Sequence, residues 1–292
     1  MVNWSDPAVI EEDETALGKL GLVLLGIYGW EYLLTLQAEW ALISRRLTFR
    51  WPLVPYFLGR YSFLATVISL TAVSRKTFAV DCKSAHQALA VTGNIAIACA
   101  STNLMIRTAV IWKQRSTVVI LLLLLTLGHW TILMAGPTYF KAQANSTTHA
   151  CTITYTSNTK TAAMFIYTML YDFLILSLTV VGLSRVKSRS ALWSRLHRQG
   201  IFYFVVAFAV NILPVIFSCL NLNDVMGIFF VQPAGCVSTI ASSRSVLSLL
   251  GCNSLFTDSN SSSDEEGRGD TNRLTTLLTF DLSIAPYNAT AY

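Results

Sequence analysis

Three ionisable residues stand inside long apolar runs of this chain, and any chemistry it does would start from them: Glu31, Arg60 and Asp172. A charge near the centre of a membrane helix costs about 2.5 to 3.5 kcal/mol on insertion scales, and it persists when paired or when it faces a cavity. Glu31 lies in the second half of the first run and Arg60 about eight residues into the second, so at a rise of about 1.5 Å per residue they reach similar depths on antiparallel neighbours. The two are expected to pair, either as a gate or proton-linked switch or as a structural ion pair fixing two helices. Asp172 follows Tyr171 near the middle of the fifth run with no basic residue nearby in sequence. It is the foremost single candidate for a ligand or ion site, the alternative being a protonated acid hydrogen-bonded to a neighbouring helix. Arg107, one turn after Asn103 and close to the end of its run, is expected to snorkel to the interface.

Other chemistry lacks a signature. The sequence holds no phosphate-binding glycine loop, no His-Glu-x-x-His and no Cys-x-x-Cys, and His86, His129, His149 and His197 are scattered without ligand spacing. No catalytic residue, metal or cofactor is therefore expected, and the chain does not read as an enzyme. Asn94, Asn103, His129 and Asn211 are expected to hydrogen-bond across helices. Pro214 and Pro233 should kink their helices.

These residues are positioned by apolar segments. Hydrophobic residues make up 53% of the chain and charged ones 13%, where a soluble domain carries about a quarter charged. A hydrocarbon core of about 30 Å asks for about 20 apolar residues per helix. Seven runs meet that demand, at roughly Ala16 to Leu36, Pro52 to Val73, Gln87 to Trp112, Thr117 to Ala135, Thr161 to Leu183, Gly200 to Leu220 and Asp224 to Ser242. The expectation is an all-α, integral membrane seven-helix bundle. An acidic extracellular tail (1–15) precedes the transmembrane domain (16–242), and a cytoplasmic, disordered, Ser-rich tail (243–292) follows it.

Arginine and lysine placement sets the orientation, because positively charged loops stay cytoplasmic. With the N-terminus outside, the inner segments hold Arg45, Arg46 and Arg50, then Arg107, Lys113 and Arg115, then Arg185 through Arg198, and finally Arg244. The topology is read as N-out and C-in, in the plasma membrane or secretory pathway. It places Cys82 and Cys151 on the oxidising side, as a candidate disulfide or as two free thiols. Asn145 in Asn145-Ser146-Thr147 is the glycosylation candidate, whereas Asn260 and Asn288 would be cytoplasmic and unused. The basic segment 184–199 is available to a cytoplasmic effector protein or to anionic lipid, although the topology rule alone would also produce it. The expected partners are the lipid bilayer, that effector and an unknown small ligand, with no nucleic acid.

Around the first loop the residues form a pattern. Glu31-Tyr32-Leu33-Leu34-Thr35-Leu36, then Glu39-Trp40, Arg45-Arg46, Trp51 and Phe57-Leu58-Gly59-Arg60-Tyr61 resemble the N-terminal domain of unknown function found in a large family of fungal multi-spanning membrane proteins. The resemblance is most specific within residues 29–61 and extends to Ser242-Ser243-Arg244-Ser245-Val246-Leu247, which is similar to that family's closing motif. It implies a seven-helix membrane protein and adds no catalytic residue.

Three functions fit these features. Receptor-like sensing or signalling follows from N-out seven-span topology, a bridged outer loop and a basic third inner loop. The likeness to G-protein-coupled receptors is one of architecture only, since no acid precedes Arg107 and the seventh run lacks Asn-Pro-x-x-Tyr. A small-molecule or ion transporter would line its path with Asp172, Glu31 and Arg60. A membrane scaffold would use none of the three.

Overall fold

The computed structural model describes residues 6–43, 51–74, 82–113, 115–144, 151–156, 158–185, 191–220, 223 and 225–249. Asn145, Cys252, Asn288 and the rest of the C-terminal segment lie outside the described residues, as do the side chains of Cys82 and Cys151 and those of residues 185–200. The helices are α1 (Pro7–Ile43), α2 (Leu53–Ser74), α3 (Cys82–Ile111), α4 (Ser116–Ala135), α5 (Asn158–Arg185), α6 (Ala191–Leu220), the single turn α7 (Met226–Phe229) and α8 (Val231–Leu249).

Seven stretches are long and apolar enough to cross a membrane: Ala8–Leu36, Leu53–Val73, Ser84–Ile111, Ser116–Thr138, Thr159–Ser184, Ile201–Leu220 and Met226–Leu247. By length and composition the chain is a multi-pass membrane protein. Its outer faces agree with that, since Leu124 and Leu127 on α4, Leu170 and Phe173 on α5 and Phe202 on α6 are exposed. A soluble protein would have to cover such surface, whereas lipid tails solvate it.

The central helix is α3, which touches α2, α4, α5 and α8. Apolar clusters among the described residues pack around it, one of them Ala98 with Leu133, Met164 and Phe165. Leu104, Met105, Leu122, Tyr171, Ile175 and Phe204 join α3 to α4, α5 and α6, while Leu24, Tyr28, Phe63, Val67, Ala96 and Cys236 join it to α1, α2 and α8. Close approach is set by two glycines. A Cβ at Gly59 would lie 2.8 Å from Cys99 Cβ, and one at Gly182 would lie 2.6 Å from Ile111 Cγ2. Only a residue without a Cβ fits at either place.

Four features depart from the sequence-based expectation. First, the acidic segment is not a separate tail: α1 begins at Pro7, with Asp6 Oδ1 accepting from Ala8 N at 3.1 Å. An Asp cap followed by Pro at the first helical position is a strong start signal, which hydropathy does not register. Second, α1 runs past Leu36 to Ile43 and so carries Glu39 into the bundle. Third, α8 continues beyond Ser242 to Leu249, keeping Arg244 and Ser245 helical.

Fourth, the all-α expectation holds for the spans but not for the link between α4 and α5. A 3-10 turn (Gly136–Tyr139) leads there into an antiparallel pair, β1 (Phe140–Ala144) and β2 (Cys151–Thr156), running from Phe140↔Thr156 to Ala144↔Cys151 with a register shift after Lys141. The alternation Thr152-Ile153-Thr154-Tyr155-Thr156 suits a strand, and β1 contacts α3.

Both prolines act locally. Pro214 lies inside α6. Pro233 has no N–H to give the carbonyl of Phe229, and the seventh span is broken at Phe230 into α7 and α8.

Candidate functional site

The helices alternate in direction. One end of the bundle, here the leading end, gathers the starts of α1, α3, α5 and α8; the other is the trailing end. Polar groups fall into three layers between them.

At the trailing end the sequence-based pairing is corrected. Glu31 does not meet Arg60. Arg60 Nε lies 3.0 Å from Glu39 Oε1, with both side chains almost fully buried at 3% and 4% exposure. Nη1 donates to Tyr56 Oη at 2.6 Å and Nη2 to the Tyr32 carbonyl at 2.7 Å, while the guanidinium carbon sits 4.5 Å from the Tyr32 ring centre. Tyr61 donates to Glu39 Oε2 at 3.1 Å. Glu31 instead holds Arg244 in a bidentate fork, Nε to Oε1 at 2.7 Å and Nη2 to Oε2 at 2.6 Å. The pairing that depth matching suggests fails because Glu39 also lies within α1, nearer the turn into α2.

Arg107 is corrected too. It is buried rather than snorkelling, and its Nη1 donates to the Ser245 hydroxyl and, at 3.5 Å, to the Ser245 carbonyl. One turn earlier Asn103 Nδ2 donates to Ser242 Oγ at 3.1 Å. Through these two contacts α3 is fastened to α8.

The middle layer is built on Asp172. Ser101 on α3 donates to its Oδ1 at 2.9 Å, and Asn211 on α6 donates to its Oδ2 at 2.7 Å. Ser238 on α8 donates to Asn211 Oδ1 at 3.3 Å. Three helices thus meet at one carboxyl group, each oxygen of which has a donor, α8 joins them through Asn211, and Asp172 has no ion-pair partner among the described residues. Ser101 and Ser238 escape a sequence reading because a serine in a membrane helix carries no signal until its partner is known.

His129 departs from the expectation of a satisfied donor. It is fully buried, stacked on Tyr171 at 4.6 Å, and neither ring nitrogen has a hydrogen-bond partner among the described residues. Asn94 does bridge helices, donating to the Leu133 carbonyl at 2.8 Å.

Toward the leading end lies a cavity of about 130 Å³. Its walls come from α1, α2, α3, α5, α7 and α8 and include Phe63, Leu70, Ala90, Ile97, Phe165 and Val231. Among the described residues no charged side chain lines it, and the polar contributors are His86, Gln87, Asn94 and Gln232. None of the candidate residues Glu31, Arg60 and Asp172 is in its wall. Nothing in the sequence marks this site, because an apolar cavity differs from apolar packing only in what fails to fill it. Among the described residues no group of three or more His, Cys, Asp and Glu side chains is arranged to hold a metal ion.

No protein-family model matches the chain, and no curated protein matches its sequence.

Proposed function

We propose that this chain is a receptor-like membrane protein, N-terminus outside and C-terminus in the cytoplasm, that admits a small ligand at the leading end and transmits the resulting change in helix packing to the trailing end. One observation carries the reading: α3 and α8 both pass through all three layers. They contribute His86 and Gln232 to the cavity, Ser101 and Ser238 to the Asp172 layer, and Arg107 and Ser245 to the trailing-end contacts. A ligand that shifts α8 against α3 at one end bears on hydrogen bonds along both helices, and it acts only as far as it binds one arrangement better than the other. In this orientation the cavity opens toward the outside, and the basic segment 184–199 faces a cytoplasmic effector or anionic lipid.

We also propose kinship with the fungal membrane family that residues 29–61 resemble. The residues carrying that resemblance, Tyr32, Glu39, Arg60 and Tyr61, form the buried Arg60 cluster.

Topology mapping tests the frame of this reading. Glycosylation at Asn145 and not at Asn288, with a Cys82 to Cys151 bridge on a non-reducing gel, is the expected result; modification of Asn288 would overturn it. Spin-label distances between the trailing ends of α3 and α6, measured with and without bound ligand, test transmission. A transporter is the second reading, favoured by an acid at the centre of the bundle with no ion-pair partner among the described residues. Substrate flux abolished by Asp172→Asn, without loss of folding, would select it.

A further inference from the structure

The geometry points to the leading-end cavity as a binding site for a small, uncharged amphiphile: an apolar body about the size of a benzene ring with one hydroxyl or carbonyl directed at His86. The inference rests on the receptor-like reading only for its biological sense, since the chemistry is that of the cavity itself.

Size sets the first limit. At about 130 Å³ the space is close to the roughly 150 Å³ engineered cavity, lined by aliphatic and aromatic side chains, that stays dry and takes up benzene. Phe63, Leu70, Ile97, Phe165 and Val231 give it the same kind of wall. Charge sets the second limit. With no Asp, Glu, Lys or Arg among the described residues of the wall, an ionised ligand would lose its hydration without a counter-ion, a far larger cost than burying a hydroxyl that finds a hydrogen bond.

The polar handle is set by elimination among four groups. Asn94 is held in place by the N–H it gives the Leu133 carbonyl, and Gln87 is exposed. Gln232 is half-buried. His86 Nε2 is buried in the wall and has no hydrogen-bond partner among the described residues. A buried nitrogen left unmatched costs about 1–3 kcal/mol, so a ligand that supplies its partner gains where benzene alone does not. An imidazole nitrogen can donate or accept according to tautomer, so either a hydroxyl or a carbonyl serves.

The experiment uses the full chain in lipid nanodiscs and fluorine NMR with three probes: para-fluorophenol, fluorobenzene and para-fluorobenzoate, each corrected for partition into empty discs. Saturable binding of para-fluorophenol and fluorobenzene but not of the benzoate is expected. His86→Phe should weaken the phenol by about fivefold, the worth of one hydrogen bond, and leave fluorobenzene unchanged. Ala90→Phe should abolish both, with Ala90→Leu as the gentler filling variant if the first does not fold. Absence of saturable binding, benzoate binding as tight as that of the phenol, or a His86→Phe variant with unchanged phenol affinity would each overturn the inference. Binding without any change in the trailing-end spin-label distances leaves this site standing and removes the sensor reading. A distance change produced by some other ligand, with none of the three probes bound, does the reverse.

Discussion

Two ion pairs fasten the trailing end of the bundle, whereas at the leading end the described residues show a carboxylate hydrogen bond, Asn223 Nδ2 to Asp13 Oδ2 at 2.7 Å, beside an apolar cavity. Arg60 is enclosed by Glu39, Tyr56 and Tyr32, Glu31 grips Arg244, and Arg107 reaches Ser245, so that α1, α2, α3 and α8 are joined there by directional contacts. At the other end the same four helices meet around an apolar space that no described residue fills. Ion pairs and hydrogen bonds hold one geometry, whereas apolar side chains around a void can repack at small cost. The contrast separates a fixed end from an adaptable one, with the Asp172 layer between them.

The contrast is broken most severely at Arg60. Glu39→Leu leaves a guanidinium buried without its counter-charge and is expected to cost about 3–5 kcal/mol, read as loss of folded protein or a large fall in unfolding midpoint. The paired change Glu39→Leu with Arg60→Met should recover most of that loss; equal damage in single and double variants would show that the ion pair is not what matters. Gly59→Ala comes next. Its Cβ would press on Cys99 across the α2 and α3 contact, for an expected loss of about 1–3 kcal/mol in a denaturant titration.

Within the middle layer Asp172→Leu strands the amide of Asn211 and the hydroxyl of Ser101, and about 1–2 kcal/mol is expected. Asp172→Asn should lose less, because an amide oxygen can still accept one of the two bonds. Equal losses would mean that shape rather than hydrogen bonding is what Asp172 supplies. Arg244→Gln is expected to cost about 1–2 kcal/mol, since the Arg244 side chain is 48% exposed but its loss leaves the Glu31 carboxylate, only 11% exposed, without its counter-charge. Smallest of all is Ala90→Leu at the leading end, expected within about 0.5 kcal/mol of the parent because it enters existing space. A loss as large as that of Gly59→Ala there would end the distinction between a packed end and an adaptable one.

The parts that were legible in the sequence have local causes. Each span is recognised from its own hydropathy, and the structural windows begin and end within a few residues of the sequence reading except where a cap or a continuing helix intervenes, as at Asp6 and after Ser242. Asp172 stood out because a carboxylate in an apolar run is conspicuous whatever it touches. Hydropathy does not mark Glu39 as the partner of Arg60, because an apolar window ends where polar residues begin, although the backbone hydrogen bonds of α1 carry on. The β1 and β2 pair was missed because its strands are short and polar, and their stability comes from each other and from α3.

The sequence by itself therefore determined that this chain crosses a membrane through seven apolar helices and that it places an acid in the middle of the fifth. Hydropathy is a property of each segment, and the bilayer reads it segment by segment. Tertiary structure alone decided that Glu31 belongs to Arg244, 213 positions away, rather than to Arg60, that Asp172 faces Ser101 and Asn211, and that an unfilled space remains beside His86. Those outcomes depend on how each helix is rotated and which neighbours it meets, and rotation is fixed only when all the side chains pack at once.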